Sequence, residues 1–264
     1  MTAEKNFETI SYKLADKIAT ITLDRPEVHN AFNEVMIAEL TGIFKRISAD
    51  ENVRVVVLTG NGKSFSAGAD LNWMKKMIDY SYEQNLDDSL KLADLFYLMY
   101  SLSKPIIARV NGAAIGGGTG LVAVCDIAIA SEDAKFSLSE VKLGLVPACI
   151  SPYVIRKVGE GRCREFFLTG ERLTAQRALE AGLVNQVVAA EQLDKAVEEK
   201  ASQLISSGPK ALAMCKELLG KVPGLGFDEA KTYTADMIAR MRIGDEGQEG
   251  MNAFLNKRKP KWSE

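Results

Sequence analysis

Two segments carry residue types and spacings with which a main chain could do chemistry. Ser64-Phe-Ser-Ala-Gly-Ala-Asp-Leu-Asn72 and Ile115-Gly-Gly-Gly-Thr119 both place small residues ahead of an apolar run with helical spacing. Glycine lets a ligand approach the backbone closely, and the first-turn N–H groups of a helix have no intrahelical partner, so such a junction can hold negative charge. If one amide from each segment converges on a carbonyl oxygen, the pair forms an oxyanion hole for charge developing in an enolate-like transition state. Losing one such donor costs roughly 2.7–4 kcal/mol of barrier stabilisation. A glycine run alone more often serves a tight turn or close packing.

Other chemistries fit poorly. A dinucleotide fingerprint counted from Gly116 and Gly118 meets Leu121 where its third glycine belongs, and the register Gly118, Gly120, Ala123 starts late, inside the expected helix. Gly60-Asn-Gly-Lys-Ser64 ends like a phosphate loop but has Val57 where the first glycine is required. The single histidine, His29, excludes a histidine-rich metal site, and no Gly-x-Ser-x-Gly elbow exists to partner it. It reads as a surface or loop-bracing residue. Cys125, Cys149, Cys163 and Cys215 lack paired metal-ligand spacing and read as buried free thiols. A net charge of −2 gives no general attraction to nucleic acid or acidic membranes. The basic Lys257-Arg258-Lys259 reads either as a solvated tail or as a phosphate contact. No apolar run reaches the roughly 18 residues of a membrane span, and the expectation is a soluble protein of a reducing cytoplasm.

The elements that must position these segments follow from periodicity. A chain of 264 residues, 47% hydrophobic, can bury a sizeable core. Ile10 to Leu23 reads as a hairpin turning at Ala15-Asp16-Lys17. Asn33 caps a helix whose Met36, Leu40, Ile43, Phe44 and Ile47 share one face. Val55 to Leu58 is a strand, Asn61 to Ser66 a loop, and Leu71 to Met77 a short helix capped by Asp70. A second cycle follows: a helix over Ser89 to Leu102, a strand at Pro105 to Val110, the glycine junction with its helix, and a strand at Ile127 to Ala130. This alternation predicts an α/β domain with largely parallel pairing, both unusual segments lying after strands. Beyond Glu160 helices dominate, at Thr174 to Ala181, Leu193 to Ile205, Lys210 to Leu219 and Asp228 to Arg240.

Several motifs in this order resemble the crotonase superfamily, the enoyl-CoA hydratases and isomerases, over nearly the whole chain. They are Leu23-Asp-Arg-Pro26 with Asn30-Ala31, Ser66-Ala-Gly-Ala-Asp70, Asn111-Gly112 before Gly116-Gly-Gly118, Cys125-Asp126 and Glu140-Val-Lys-Leu-Gly-Leu-Val-Pro147. Thr169-Gly-Glu-Arg-Leu-Thr174, Ala181-Gly-Leu-Val-Asn185 and Phe254-Leu-Asn-Lys-Arg-Lys259 complete the set. The resemblance implies an α/β spiral of ββα units over residues 1–200 with a helical oligomerisation region over 201–264, assembled as a homotrimer or a dimer of trimers. It implies an acyl-CoA thioester substrate, no separate cofactor, metal, nucleic acid or membrane partner, and an oxyanion hole made by Ala69 N–H and Gly117 N–H. Glu140 matches the family carboxylate that transfers a proton at the α-carbon. Val28, Ala31, Ala67, Ala69, Asp70, Leu71, Asn72 and Gly117 match coenzyme A contacts, and Lys257 matches a lysine that reaches the coenzyme phosphates from an adjoining subunit.

One position departs from the pattern. Gly120 stands where many two-carboxylate hydratases of this superfamily have a glutamate. Adding water to a conjugated alkene calls for a proton at one carbon and an activated water at the next, so Glu140 alone would serve both steps. A single carboxylate also resembles the Δ3,Δ2-enoyl-CoA isomerases. The expected activity is hydration or dehydration of an enoyl-CoA, with isomerisation or mere acyl-CoA binding as the alternatives. Gly117-Gly-Thr-Gly-Leu121 with Asp70-Leu-Asn-Trp-Met74 and Ile150-Ser-Pro-Tyr153 resembles methylglutaconyl-CoA hydratase-like members, which implies a branched or carboxylated acyl group. Trp73, Met74 and Met77 either shape an acyl pocket or pack a short helix.

Overall fold

The chain, described by a computed structural model over residues 7–263, opens with an antiparallel hairpin, β1 (Ile10–Ala15) and β2 (Ile18–Leu23). Asp16 (φ 50°) and Lys17 (φ 67°) form its two-residue turn, both left-handed as a hairpin twist requires. Helix α1 (Glu34–Ala49) is capped by Asn33, whose side chain accepts from Met36 N at 2.9 Å. The expected face of α1 is buried, together with Ile37.

From here the chain repeats one unit. Strand β3 (Val55–Gly60) is followed by the short strand β4 (Ser64–Ser66), then by α2 (Leu71–Ile78) and α3 (Tyr82–Ser101). Strands β5 (Ile106–Val110) and β6 (Ala113–Ile115) precede α4 (Gly117–Val124). Strands β7 (Ile127–Ser131) and β8 (Lys135–Ser137) precede a 3-10 turn at Ser139–Leu143 and α5 (Ser151–Val158). The first strand of each unit enters a six-stranded sheet ordered β1-β2-β3-β5-β7-β10, and the second enters a four-stranded sheet ordered β4-β6-β8-β9. The chain therefore winds as a spiral of ββα units. Then come α6 (Glu160–Thr169), β9 (Arg172–Thr174), α7 (Ala175–Glu180), β10 (Gln186–Val188) and α8 (Leu193–Ile205).

Every residue of β3 is buried, as expected for a parallel strand covered on both faces. Val56 and Leu58 join the main core with α1, α3 and α4, while Val55 and Val57 meet Leu193 and Val197 of α8. Three expectations are corrected. Ser64 to Ser66 is a strand rather than loop, and its three residues are too few to show a period. Helix α3 starts at Tyr82, not Ser89, because Ser81 and Gln84 form a reciprocal capping box. Cys215 is exposed and Cys149 half-buried, unlike the buried Cys125 and Cys163.

The C-terminal region is helical: α9 (Pro209–Lys221), α10 (Phe227–Ile243) and α11 (Asp245–Leu255). Neither α9 nor α10 contains a fully buried residue. Polar contacts fasten this region to the core. Arg54 Nη2 donates to Ser207 O at 2.6 Å, and Lys216 pairs with Asp126 at 2.6 Å. Among the described residues no helix is long and apolar enough to cross a membrane.

Candidate active site

Phe32 organises the first turn. Its N–H donates to Gly68 O at 2.6 Å and its carbonyl accepts from Asp70 N at 2.8 Å, so the peptide groups on either side of Ala69 are engaged. Ala69 is exposed, and its own N–H meets no acceptor among the described residues. Gly68 adopts φ 88°, where a side chain would be strained. Asp70 then caps α2, its Oδ1 accepting from Asn72 N at 2.8 Å and Trp73 N at 3.2 Å.

The second turn enters α4. Gly116, at φ 54°, donates to Ser137 O at 2.8 Å. Gly117 is the first residue of α4, and its N–H likewise meets no acceptor among the described residues, as the first turn of a helix dictates. Thr119 Oγ1 donates to Ala114 O at 2.7 Å, with Ser137 O at 2.9 Å, and so fixes the start of α4 against β6 and β8.

The turns interlock at glycines. A Cβ on Gly68 would lie 2.8 Å from Ile115 O and 3.8 Å from Gly117 N, and a Cβ on Gly118 would overlap Ser66 O. A Cβ on Gly117 would lie 2.6 Å from Phe32 Cε2. Phe32 thus holds the first turn with its backbone and supports the second with its ring. Two acceptorless N–H groups, one exposed and one at a positive helix end, sit on abutting turns, and such a pair can stabilise an oxyanion.

Glu140 comes to the same place from the 3-10 turn after β8. A Cβ on Gly116 would be 3.0 Å from Glu140 Oε1, so the carboxyl group lies against the residue preceding Gly117. Its Oε2 is buried without a hydrogen-bond partner among the described residues. Burial raises its pKa above the ordinary carboxylate value, with a smaller opposing contribution from a backbone hydrogen bond. A desolvated carboxyl group of this kind can exchange protons near neutral pH.

Gly120 is sealed by packing. A Cβ there would overlap Ile150 Cγ2 and lie 2.9 Å from Ile150 Cβ and 3.2 Å from Phe96 Cζ. No second carboxylate could occupy this position without displacing the core. Ile150 and Phe96, two apolar side chains, carry no chemical signal in the sequence that would mark them as neighbours of the site.

The remaining expected contacts are distributed unevenly. Val28 and Ala67 are half-buried, and Ala31 is buried beside the first turn, where Ala67 N donates to His29 O at 2.9 Å. Leu71 and Asn72 are exposed at the start of α2. The Asp70 side chain is committed to capping and to Arg25, its N–H donates to Phe32 O and its carbonyl accepts from Met74 N at 2.8 Å. His29 braces the loop, with Nδ1 3.0 Å from Ser64 Oγ. Trp73 belongs to the buried core and Met77 packs against it, while Met74 is half-buried. Lys257 lies apart on the C-terminal helices, exposed just after α11 with φ 53° and its N–H bonded to Phe254 O. A cavity of about 1050 Å³ also lies elsewhere, bordered by Ile18 and Thr20 of β2, Val197 and Ala201 of α8, and Pro260.

The chain is similar to known proteins over nearly its whole length. Residues 13–264 match the family described as enoyl-CoA hydratase/isomerase. The chain is 34% identical to the short-chain-enoyl-CoA hydratase of Clostridium acetobutylicum, covering 92% of this chain and 93% of that protein. It is 32% identical to the 2,3-dehydroadipyl-CoA hydratase of Escherichia coli, covering 92% and 94%. The crystal structure of an enoyl-CoA hydratase from Shewanella pealeana superimposes with a TM-score of 0.94 at 44% identity, covering 97% of this chain and 96% of that one.

Proposed function

This chain belongs to the enoyl-CoA hydratase/isomerase family, and we propose that it adds water to an α,β-unsaturated acyl-CoA thioester and catalyses the reverse dehydration. Ala69 N–H and Gly117 N–H hold the thioester oxygen, and Glu140 exchanges the proton at the α-carbon. The observation that carries this reading is the desolvated Glu140 carboxyl group, its Oε2 buried without a partner among the described residues, placed against Gly116 next to the acceptorless N–H of Gly117. Val28, Ala31, Ala67, Asp70, Leu71 and Asn72 line the coenzyme side, mostly through backbone groups.

The closed space at Gly120 excludes a second carboxylate at that position, and in this reading Glu140 serves the whole cycle. In the hydration direction Glu140 takes a proton from water as the oxygen bonds to the β-carbon, and negative charge moves onto the thioester oxygen between the two N–H groups. Glu140 then returns that proton to the α-carbon, so one water is added and the carboxylate is regenerated. The same observation favours a second reading, Δ3,Δ2-isomerisation, in which Glu140 carries a proton between carbons and no water enters. The branched, carboxylated methylglutaconyl-CoA is the finer substrate proposal, supported by the likeness around Ile150-Ser-Pro-Tyr153.

Assembly as a homotrimer or dimer of trimers is proposed as well. Phe227, Ile243, Phe254 and Leu255 leave large apolar surfaces exposed on the C-terminal helices, and assembly would bring Lys257 to a neighbour's coenzyme phosphates. Product analysis in deuterated water with straight, branched and carboxylated enoyl-CoA substrates tests the reaction. A hydrated product is expected. A shifted double bond without added water would replace hydration by isomerisation, and full activity in Glu140→Gln would remove the assigned acid–base group. Binding of thioesters with no turnover on any of them would reduce the protein to a binding module.

A further inference from the structure

Arg25 makes two guanidinium hydrogen bonds and one through its backbone N–H, yet nothing in the proton-transfer scheme uses it. Its Nη1 donates to Ala31 O at 2.7 Å and its Nη2 to Asp70 Oδ2 at 2.8 Å, while its N–H donates to Asn30 Oδ1 at 2.9 Å. The Arg25–Asp70 pair is largely buried, with side chains 17% and 6% exposed. Both terminal nitrogens of the guanidinium therefore donate within the protein.

These bonds connect parts of the chain that are far apart in sequence. Ala31 precedes Phe32, whose backbone brackets Ala69, and Asp70 directly follows Ala69. The Asp70 carboxylate is itself divided, one oxygen capping α2 and the other facing Arg25. Burial pushes its pKa up, but the Arg25 hydrogen bond and the capping N–H groups outweigh that and hold it below the ordinary value. Asp70 is thus a charged hinge between the turn, its helix and residue 31.

We propose that Arg25 is a positioning residue for oxyanion binding: by joining Ala31 O to the Asp70 carboxylate it fixes where Ala69 N–H points relative to Gly117 N–H. This inference rests on the proposal that those two N–H groups hold the thioester oxygen. Without the fork, Asp70 still caps α2, but the start of α2 loses its reference to residue 31. Lysine keeps the charge yet cannot make two in-plane bonds in fixed directions, so it is not a substitute here. A donor displaced by an ångström or less forfeits most of its selectivity for the transition state, an effect on the order of 10²-fold in rate.

The test combines kinetics with a spectroscopic probe. In a Glu140→Gln background, where turnover is suppressed, bound 2,4-hexadienoyl-CoA should absorb at longer wavelength than free, because hydrogen bonds to the thioester oxygen polarise the conjugated system. Adding Arg25→Lys should abolish most of that red shift while binding of the probe changes by less than about threefold. With Glu140 present, Arg25→Lys should lower kcat by about 10²-fold with little change in KM. Asp70→Asn, which keeps a capping oxygen, should reproduce both effects, and the double variant should be no worse than either single change. It also keeps the test open if Arg25→Lys fails to fold. A red shift retained in Arg25→Lys and Asp70→Asn overturns the inference and leaves the oxyanion reading standing. A raised KM with unchanged kcat and red shift would instead make Arg25 a coenzyme-binding group, also overturning it. No red shift in Glu140→Gln alone overturns the oxyanion reading, and this inference falls with it.

Discussion

The closed space at Gly120 makes a quantitative prediction about stability that bears directly on mechanism. Alanine in place of glycine inside a helix ordinarily gains about 0.8–1 kcal/mol. At position 120 the added methyl would overlap Ile150 Cγ2 and press on Ile150 Cβ at 2.9 Å and Phe96 Cζ at 3.2 Å. Carbon atoms rest about 3.5–4.0 Å apart, and Ile150 and Phe96 are 3% and 0% exposed, so neither can swing into solvent. The strain belongs at the upper end of the 1–3 kcal/mol typical of overpacked cores. After the helix gain is subtracted, Gly120→Ala should destabilise by about 1–2 kcal/mol. That corresponds to a fall in Tm of about 2–8 °C for a chain of this size.

Gly42→Ala is the internal control. It lies in α1 with nothing within 4 Å of the added Cβ, so the same substitution should raise Tm. Thermal unfolding at one fixed protein concentration measures both, since assembly would make Tm concentration-dependent. Ile150→Ala alone should cost about 2–5 kcal/mol, and the Gly120→Ala/Ile150→Ala pair should cost at least about 1 kcal/mol less than the sum. If Gly120→Ala is as stable as the parent, or the pair is strictly additive, position 120 has room for a side chain. Packing would then not be what keeps a second carboxylate out of position 120.

Three other outcomes follow from the same geometry. Glu140→Gln should lower kcat by about 10²–10⁴-fold; in the parent, the acid limb of kcat/KM should lie above the ordinary carboxylate value of 4.5, because burial raises this group's pKa. A carboxyl group with a raised native pKa favours folding most in acid and loses that contribution as pH rises from its unfolded value through its folded one. Glu140→Gln should therefore have the higher Tm at about pH 7, with the gap closing in acid, and a lower Tm at neutral pH would contradict the sign. Asn30→Ala should destabilise by about 2–4 kcal/mol in urea unfolding: Asn30 is fully buried at φ 56° and its side chain bonds Arg25 N, Asn61 O and Ser64 O. Titration of the folded protein with a thiol reagent should consume Cys215 first and spare Cys125, which is buried with its thiol pushed up to about 12. Rapid reaction of Cys125 would show that the end of α4 opens readily.

Much of the architecture is legible in the chain because local physics and tertiary packing agree. The hairpin turn at Asp16-Lys17, the Asn33 and Asp70 caps and the apolar face of α1 are each set by neighbouring residues, and the structure keeps them. The two glycine segments could likewise be recognised, though only when read together, since a glycine run alone also serves tight turns and close packing. Strands β4, β6 and β8 were not legible: with three residues each they have no period, and they exist only because neighbouring turns pair them into a second sheet. Arg25 stood within a recognised motif without a role, since a guanidinium acquires one only when residues 31 and 70 come within reach.

Sequence alone determined which groups were on offer: two turns able to free an N–H, one matched carboxylate, and a glycine where a second carboxylate was expected. The tertiary structure decided what each is beside. It set the Glu140 carboxyl group against Gly116, interlocked the two turns around Phe32, and filled the space over Gly120 with Ile150 and Phe96. Those outcomes depend on distances between residues tens of positions apart, and neither helical nor strand periodicity encodes such distances. Only the closure of two sheets around one core fixes them, and with them the burial that raises the pKa of Glu140.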